Sequence, residues 1–158
     1  MSTARVTTQG VHQLANVGGP PEDRAWIKSG QPCHPPKIHE TAWINAFATV
    51  DAGTRRRTKV GARSIVMSHA HVGHDAKIGD DCTVCTGAII GGHARIQDGA
   101  KVGLNATVLP FRTVGQGAEI GGHAIVTRDV PPGEVWSGVP ARPMPAGKNP
   151  TPYSMRAR

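Results

Sequence analysis

The chain has 158 residues, 20 of them glycine and 13 proline, and only 4% aromatic; this suits one domain rich in turns and excludes a core built on large rings. Its formal charge of +7, from 18 Lys and Arg against 11 Asp and Glu, favours anionic partners, phosphorylated cofactors among them. Three cysteines argue against a disulfide framework, the opening MSTARVTTQGVHQLANVGG has no apolar signal core, and no run is apolar enough to span a bilayer, so a cytoplasmic protein without membrane insertion is expected.

Residues 1–36 are polar, with GGPPED and QPCHPP, and read as an N-terminal arm. A repeat domain is expected over residues 37–130. Ile38, Ile44 and Val50 begin a six-residue spacing. Val50 to Val60 is ten residues rather than the twelve of two units, and TRRRTK at 54–59 sits in that irregularity as a loop or distorted corner. From Val60 to Val126 every sixth residue is Val or Ile, twelve in succession. A helix of 3.6 residues per turn would scatter them, so helix is rejected. Two residues before most of them stands a small residue, such as Ser64, Ala70, Cys82 or Ala106. In extended chain that separation puts both side chains on one face. Glycine follows the branched residue in seven of the twelve units, consistent with a turn after each short strand. One such strand cannot bury its own face, but stacked turns of a coil can. Residues 131–158 read as a C-terminal cap and basic tail, with Pro131 and Pro132 withholding ladder donors.

The pattern [VI]-G-x-x-A-x resembles the hexapeptide repeat of left-handed parallel β-helix acyltransferases, over residues 38 to about 142. The resemblance implies an all-β fold: a single-stranded left-handed parallel β-helix of about five coils, three units and 18 residues to each. Val60, Ile78, Ile96 and Val114 would then stack, as would Val66, Val84, Val102 and Ile120, and Val72, Ile90, Val108 and Val126. Of the outward residues, Lys59, Lys77, Arg95 and Thr113 make a charged face. Ile65, Thr83, Lys101 and Glu119 make a second, and His71, Ile89, Thr107 and Ile125 a third. The family implies homotrimers with active sites between subunits, and the exposed isoleucines point to the third face as the contact.

The stretch HAHVGHD places His69, His71 and His74 outside the inward positions. H-V-G-H-D-A resembles the catalytic segment of sugar N-acyltransferases, those of lipid A synthesis and the nucleotide-sugar acetyltransferases included. The resemblance makes His74 the general base and Asp75 its orienter, though a simple turn aspartate reads equally well. Imidazole titrates near neutrality and can take a proton from an attacking amine or hydroxyl. Gly92 lies 18 residues beyond His74, and Gly91-Gly92-His93 resembles the A-G-H segment whose glycine N–H binds the oxyanion. His93 and His71 are candidates for substrate binding. The tail V-T-R-D-V-P-P-G-E-V-W-S-G-V-P-A-R, residues 126–142, resembles the terminal coil of coenzyme A-dependent acetyltransferases. It makes Arg128 and Arg142 candidates for coenzyme A phosphates, with Gly103 and Gly121 admitting the pantetheine arm. Cys82-Thr-Val-Cys85 falls on both sides of the wall and reads as structural.

The expected activity is transfer of an acetyl group from acetyl-CoA to an amine of a sugar or nucleotide sugar. The lack of a dinucleotide-type domain and the short tail favour acetyl-CoA over an acyl carrier protein. Neither metal nor nucleic acid is expected; the partners are a small-molecule acceptor and further copies of the chain. Three alternatives stay open: a hydroxyl acceptor, a non-catalytic trimeric scaffold, and a zinc enzyme. The last follows from the H-x4-H spacing of His69 and His74, which resembles γ-class carbonic anhydrases on this fold. His34 and His39 match it by no whole number of coils.

Overall fold

The structure is a computed structural model that describes residues 10–20 and 24–145. Each hexapeptide supplies a two-residue strand, for example His71–Val72, Lys77–Ile78 and Thr83–Val84. The strands form three parallel sheets, each gathering every third strand of the chain. Partners lie 18 residues apart: Ile90 pairs with Val72 and Val108, Ile96 with Ile78 and Val114, and Val102 with Val84 and Ile120. These are the ladders expected from the sequence. The sheets wind into a left-handed β-helix of about six turns.

The core is the sum of the inward pairs. Val72, Val84, Ile90, Val102 and Val108 are fully buried, and so are the small residues before them, Ala70, Cys82, Ala88, Ala100 and Ala106. Burying each branched side chain is worth roughly 1.5–3 kcal/mol, and the alanines let the three walls close tightly around it. Ser64, polar at a buried small position, is satisfied: its Oγ donates to the Gly79 carbonyl at 2.7 Å and accepts from the Cys82 amide at 2.9 Å. The other thiol of the pair, Cys85, is buried behind an apolar groove on the second face.

The parallel ladders run beyond both edges of the expected 37–130 domain. The strand Asn16–Gly19 pairs with Thr49–Asp51, and Val11 bridges Ile44, so residues of the polar N-terminal stretch cover the first coil. Only one short helix, Arg24–Ser29, is present among the described residues. At the other end Val135–Ser137 still pairs in parallel with Glu119–Ile120. Pro131 and Pro132 therefore interrupt the solenoid without ending it. Arg142–Pro143 then returns antiparallel across that strand and covers the last edge, while Trp136 plugs the end of the core.

The irregularity at residues 50–60 is an insertion. Here partners lie 22 residues apart, Val50 with Val72, Ile44 with Val66 and Ile38 with Val60, so four extra residues separate the sheet of His71 from the sheet of Lys77. They enlarge the same corner that holds His74 and Gly92 one and two turns further along.

Candidate active site

His74 to Ala76 form the turn between the sheet of His71 and the sheet of Lys77, and Gly92 to Ala94 repeat that turn one coil on. Asp75 and His93 sit in the left-handed region, at φ of 60° and 62°. This corner conformation turns the Asp75 carboxylate inward, under the wall, where its side chain is wholly buried.

A buried carboxylate needs donors, and Asp75 has five. Oδ2 accepts from the Thr54 hydroxyl at 2.6 Å, the Thr54 amide at 3.0 Å and His74 Nδ1 at 2.9 Å. Oδ1 accepts from the amides of Arg55 at 2.9 Å and Arg56 at 2.6 Å. The Asp75 amide in turn donates to the Thr58 hydroxyl at 2.9 Å. Burial alone would raise the Asp75 pKa, but the hydrogen bonds from Thr54, His74 and the Arg56 and Thr54 amides outweigh it and hold the carboxyl well below the usual carboxylate range. Asp75 is thus an anion that only accepts. In the neutral ring that puts the His74 proton on Nδ1 and the lone pair on Nε2, the tautomer a general base requires.

Nε2 points at the next coil. A methyl group built on Gly92 would lie 2.7 Å from it, so only glycine leaves room for the ring there. The Gly92 amide makes no hydrogen bond among the described residues, whereas its neighbours do: Gly91 donates to Val108 and His93 to His74. A free N–H therefore stands beside an imidazole base. His93 stacks on Phe111, rings 4.6 Å apart and 6° from parallel, and meets His74 edge-on at 5.1 Å. Its Nε2 lies 3.8 Å from Asp75. Burial lowers the His93 pKa more than the Asp75 charge raises it, which favours the neutral ring.

His71 occupies the outward position on the adjoining sheet, with Nδ1 2.7 Å from the Thr49 hydroxyl and Nε2 3.7 Å from Asp51. His69 stacks on Phe47 at 5.1 Å, at a different corner. The structure thus brings His74, Asp75, Gly92 and His93 together and separates His69 from them. Arg128 lies exposed at the same corner, higher up the coil. Gly103, Gly121 and Arg142 do not join this group within one chain. Gly103 edges the apolar groove on the second face, a cavity of about 330 Å³ also lined by Ile65, Met67 and Leu104. Gly121 is covered by Ser137, and Arg142 Nη1 donates to the Ala141 carbonyl at 2.8 Å. Sequence reasoning missed Thr54, Arg56, Arg57 and Phe111; the signal for the loop residues was the insertion itself, three arginines placed at the corner of the base.

His74, Asp75 and His93 are the one cluster of ligand-type atoms among the described residues, all within 4.8 Å. Their chemistry fits a hydrogen-bonded base better than a metal cage. Both Asp75 oxygens and His74 Nδ1 are already engaged with one another or with the loop, and a cation would have to displace those bonds.

Comparison with known proteins agrees with the repeat and the fold. The family description "Bacterial transferase hexapeptide (six repeats)" matches residues 57–92. An acyl-(acyl-carrier-protein)–UDP-N-acetylglucosamine O-acyltransferase of Herminiimonas arsenicoxydans is 29% identical over 88% of this chain and 52% of its own. A UDP-3-O-acylglucosamine N-acyltransferase of Caulobacter vibrioides is 48% identical over 68% of this chain and 32% of its own. Among solved structures, the UDP-N-acetylglucosamine acyltransferase of Francisella novicida superposes with a TM-score of 0.79 at 32% identity, covering 85% of this chain and 50% of that one. The chain thus carries the hexapeptide repeat and shares the left-handed β-helix fold of these transferases. It spans about half the length, or less, of the curated relatives it matches.

Proposed function

We propose that the chain carries an acyl-transfer centre that moves an acyl group from a thioester to a nucleotide-linked sugar. The observation that supports this most is the junction of a base and a free donor: His74, oriented through Nδ1 by Asp75, sets Nε2 beside Gly92, whose N–H has no partner among the described residues. In the reaction, Nε2 takes the proton from the acceptor hydroxyl or amine as it attacks the thioester carbonyl. The carbonyl oxygen becomes an oxyanion held by the Gly92 N–H, and the thiolate leaves with the proton returned by His74. His93 lines the acceptor side, and His71 borders it from the adjoining sheet.

Acceptor class and donor carrier follow from different arguments. The named relatives act on UDP-linked glucosamines, one through oxygen and one through nitrogen. Imidazole serves both, so hydroxyl and amine acceptors stand level here. The donor expected from the sequence is acetyl-CoA, while the oxygen-transferring relative is named for an acyl carrier protein. A homotrimer, expected from the sequence, would bury the third face between copies. Among the described residues no helix is long and apolar enough to cross a membrane. A cytoplasmic setting, where acyl thioesters and nucleotide sugars meet, suits the reaction.

The test is thiol release from acetyl-CoA and from acyl carrier protein thioesters, each with a panel of UDP-linked hydroxyl and amino sugars. Acceptor-dependent release that vanishes in His74→Ala supports the reading. Release by neither donor with any acceptor counts against it, and stoichiometric zinc in the purified protein would favour the hydratase-type alternative.

A further inference from the structure

Four cations stand in direct register on one sheet. Lys37 pairs with Lys59, Lys59 with Lys77, and Lys77 with Arg95. The backbones that carry these cations are therefore one strand spacing apart, about 4.8 Å. Like charges placed opposite one another destabilise a sheet. Elsewhere the fold relieves its cations: Arg63 is paired with Asp81, Lys101 with Glu119 and Arg112 with Asp129. On this sheet no carboxylate among the described residues comes within ion-pair distance of the four.

The inserted loop adds charge to the same place. Arg56 and Arg57 join Lys59, Lys77 and Arg95 around a cavity of about 460 Å³ whose inner end is Asp75 and His93. The loop is built rather than slack. Asp75 accepts from the amides of Thr54, Arg55 and Arg56. Gly53 is bonded in both directions to His34, and a methyl group on Gly53 would collide with the Arg56 carbonyl. The backbone that carries the arginines is thus fixed before any ligand arrives, while their side chains are exposed.

We propose that Lys59, Lys77 and Arg95, with Arg56 and Arg57 from the loop, form an anion site for the phosphate or diphosphate of a substrate whose reacting group is presented to His74. Guanidinium groups match phosphate oxygens in pairs, and the ammonium ladder supplies charge along the path of a diphosphate. A bound anion relieves the repulsion that the free protein tolerates. Asp75 connects the two functions, since the carboxylate that sets the His74 tautomer also closes the arginine loop. Presentation of the reacting group to His74 rests on the acyl-transfer reading; the anion site itself does not. Two sources share this chemistry, the diphosphate of a nucleotide-sugar acceptor and the phosphates of a coenzyme A or phosphopantetheine donor.

The experiment is calorimetric titration of the full chain at low and moderate salt with pyrophosphate, uridine diphosphate, adenosine 3′,5′-bisphosphate and coenzyme A. Binding is compared in Lys77→Gln/Arg95→Gln, in Arg56→Gln/Arg57→Gln, and in Arg63→Gln, which removes a cation outside the cavity. The expected result is tenfold or greater weakening in each double variant and little change in Arg63→Gln. Preference for uridine diphosphate assigns the site to the acceptor, and preference for the bisphosphate or coenzyme A to the donor. The Lys77→Gln/Arg95→Gln protein should also melt at a higher temperature than the parent without ligand, which shows it folded and the ladder repulsive. Equal binding in all three variants, or binding of no anion by the parent, overturns the proposal. Anion binding without acyl transfer to any acceptor keeps the site and removes the acyl-transfer reading.

Discussion

At the scale of single residues the corner is an electrostatic device with Asp75 at its centre. Loss of the base in His74→Ala is expected to lower turnover roughly 10²–10⁴-fold, the usual contribution of a positioned proton acceptor. His69→Ala should stay near the parent rate, because that ring stacks on Phe47 at another corner; steady-state thiol release from both variants checks this. Stability should also follow pH through two groups. His93 has a lowered pKa in the fold, so the unfolded chain binds the proton first, and stability should begin to fall as pH drops below about 6.5. Asp75 is also lowered, so its contribution is present above the unfolded value of 3.8 and disappears as pH falls further. Chemical denaturation across pH 3–8 should show the upper slope in the parent and not in His93→Gln. A profile unchanged by that substitution would contradict the account of His93.

At the scale of the hexapeptide and its corners, glycines that look alike in the sequence have different jobs. A methyl group on Gly92 meets only the end of the His74 ring, which can swing aside. One on Gly53 meets backbone of the arginine loop. Gly92→Ala should therefore abolish turnover with the melting temperature kept. Gly53→Ala should lower the melting temperature and weaken anion binding. Thermal melts beside turnover assays separate the two. In the strands, Ile90→Ala removes a fully buried side chain and should cost about 2–5 kcal/mol by denaturant titration. Strand pairing was legible because a six-residue period with Val or Ile at one position and Ala two before it admits only one inward face. The arginine loop was legible as a break in the period but not as part of the site. Its place depends on hydrogen bonds from backbone amides to Asp75, which leave no mark in residue identity.

At the scale of the whole molecule, the repeat stacks each turn on the last, so residues 18 apart become neighbours; this is why His74 and Gly92 could be placed together from the sequence. The ends were less legible. Residues 11–19 lack the repeat yet cover the first coil through main-chain pairing, and the segment beyond Pro131 and Pro132 rejoins the sheet at Val135–Ser137. Backbone pairing of this kind is indifferent to side chains and so has no sequence period. The third face, with Ile89 46% exposed among His71, Thr107 and Ile125, remains the surface on which a trimer would form. Sedimentation of the parent and of Ile89→Glu should show a trimer that dissociates in the variant; a monomeric parent would contradict that assignment.

The most direct measurement is acceptor-dependent thiol release by the parent chain and by Gly92→Ala and His74→Ala, with folding verified by melting. The account predicts turnover in the parent and its loss in both variants, at unchanged melting temperature for Gly92→Ala. Turnover that survives either substitution, in a protein that still melts as the parent does, would contradict the placement of the reaction at this corner.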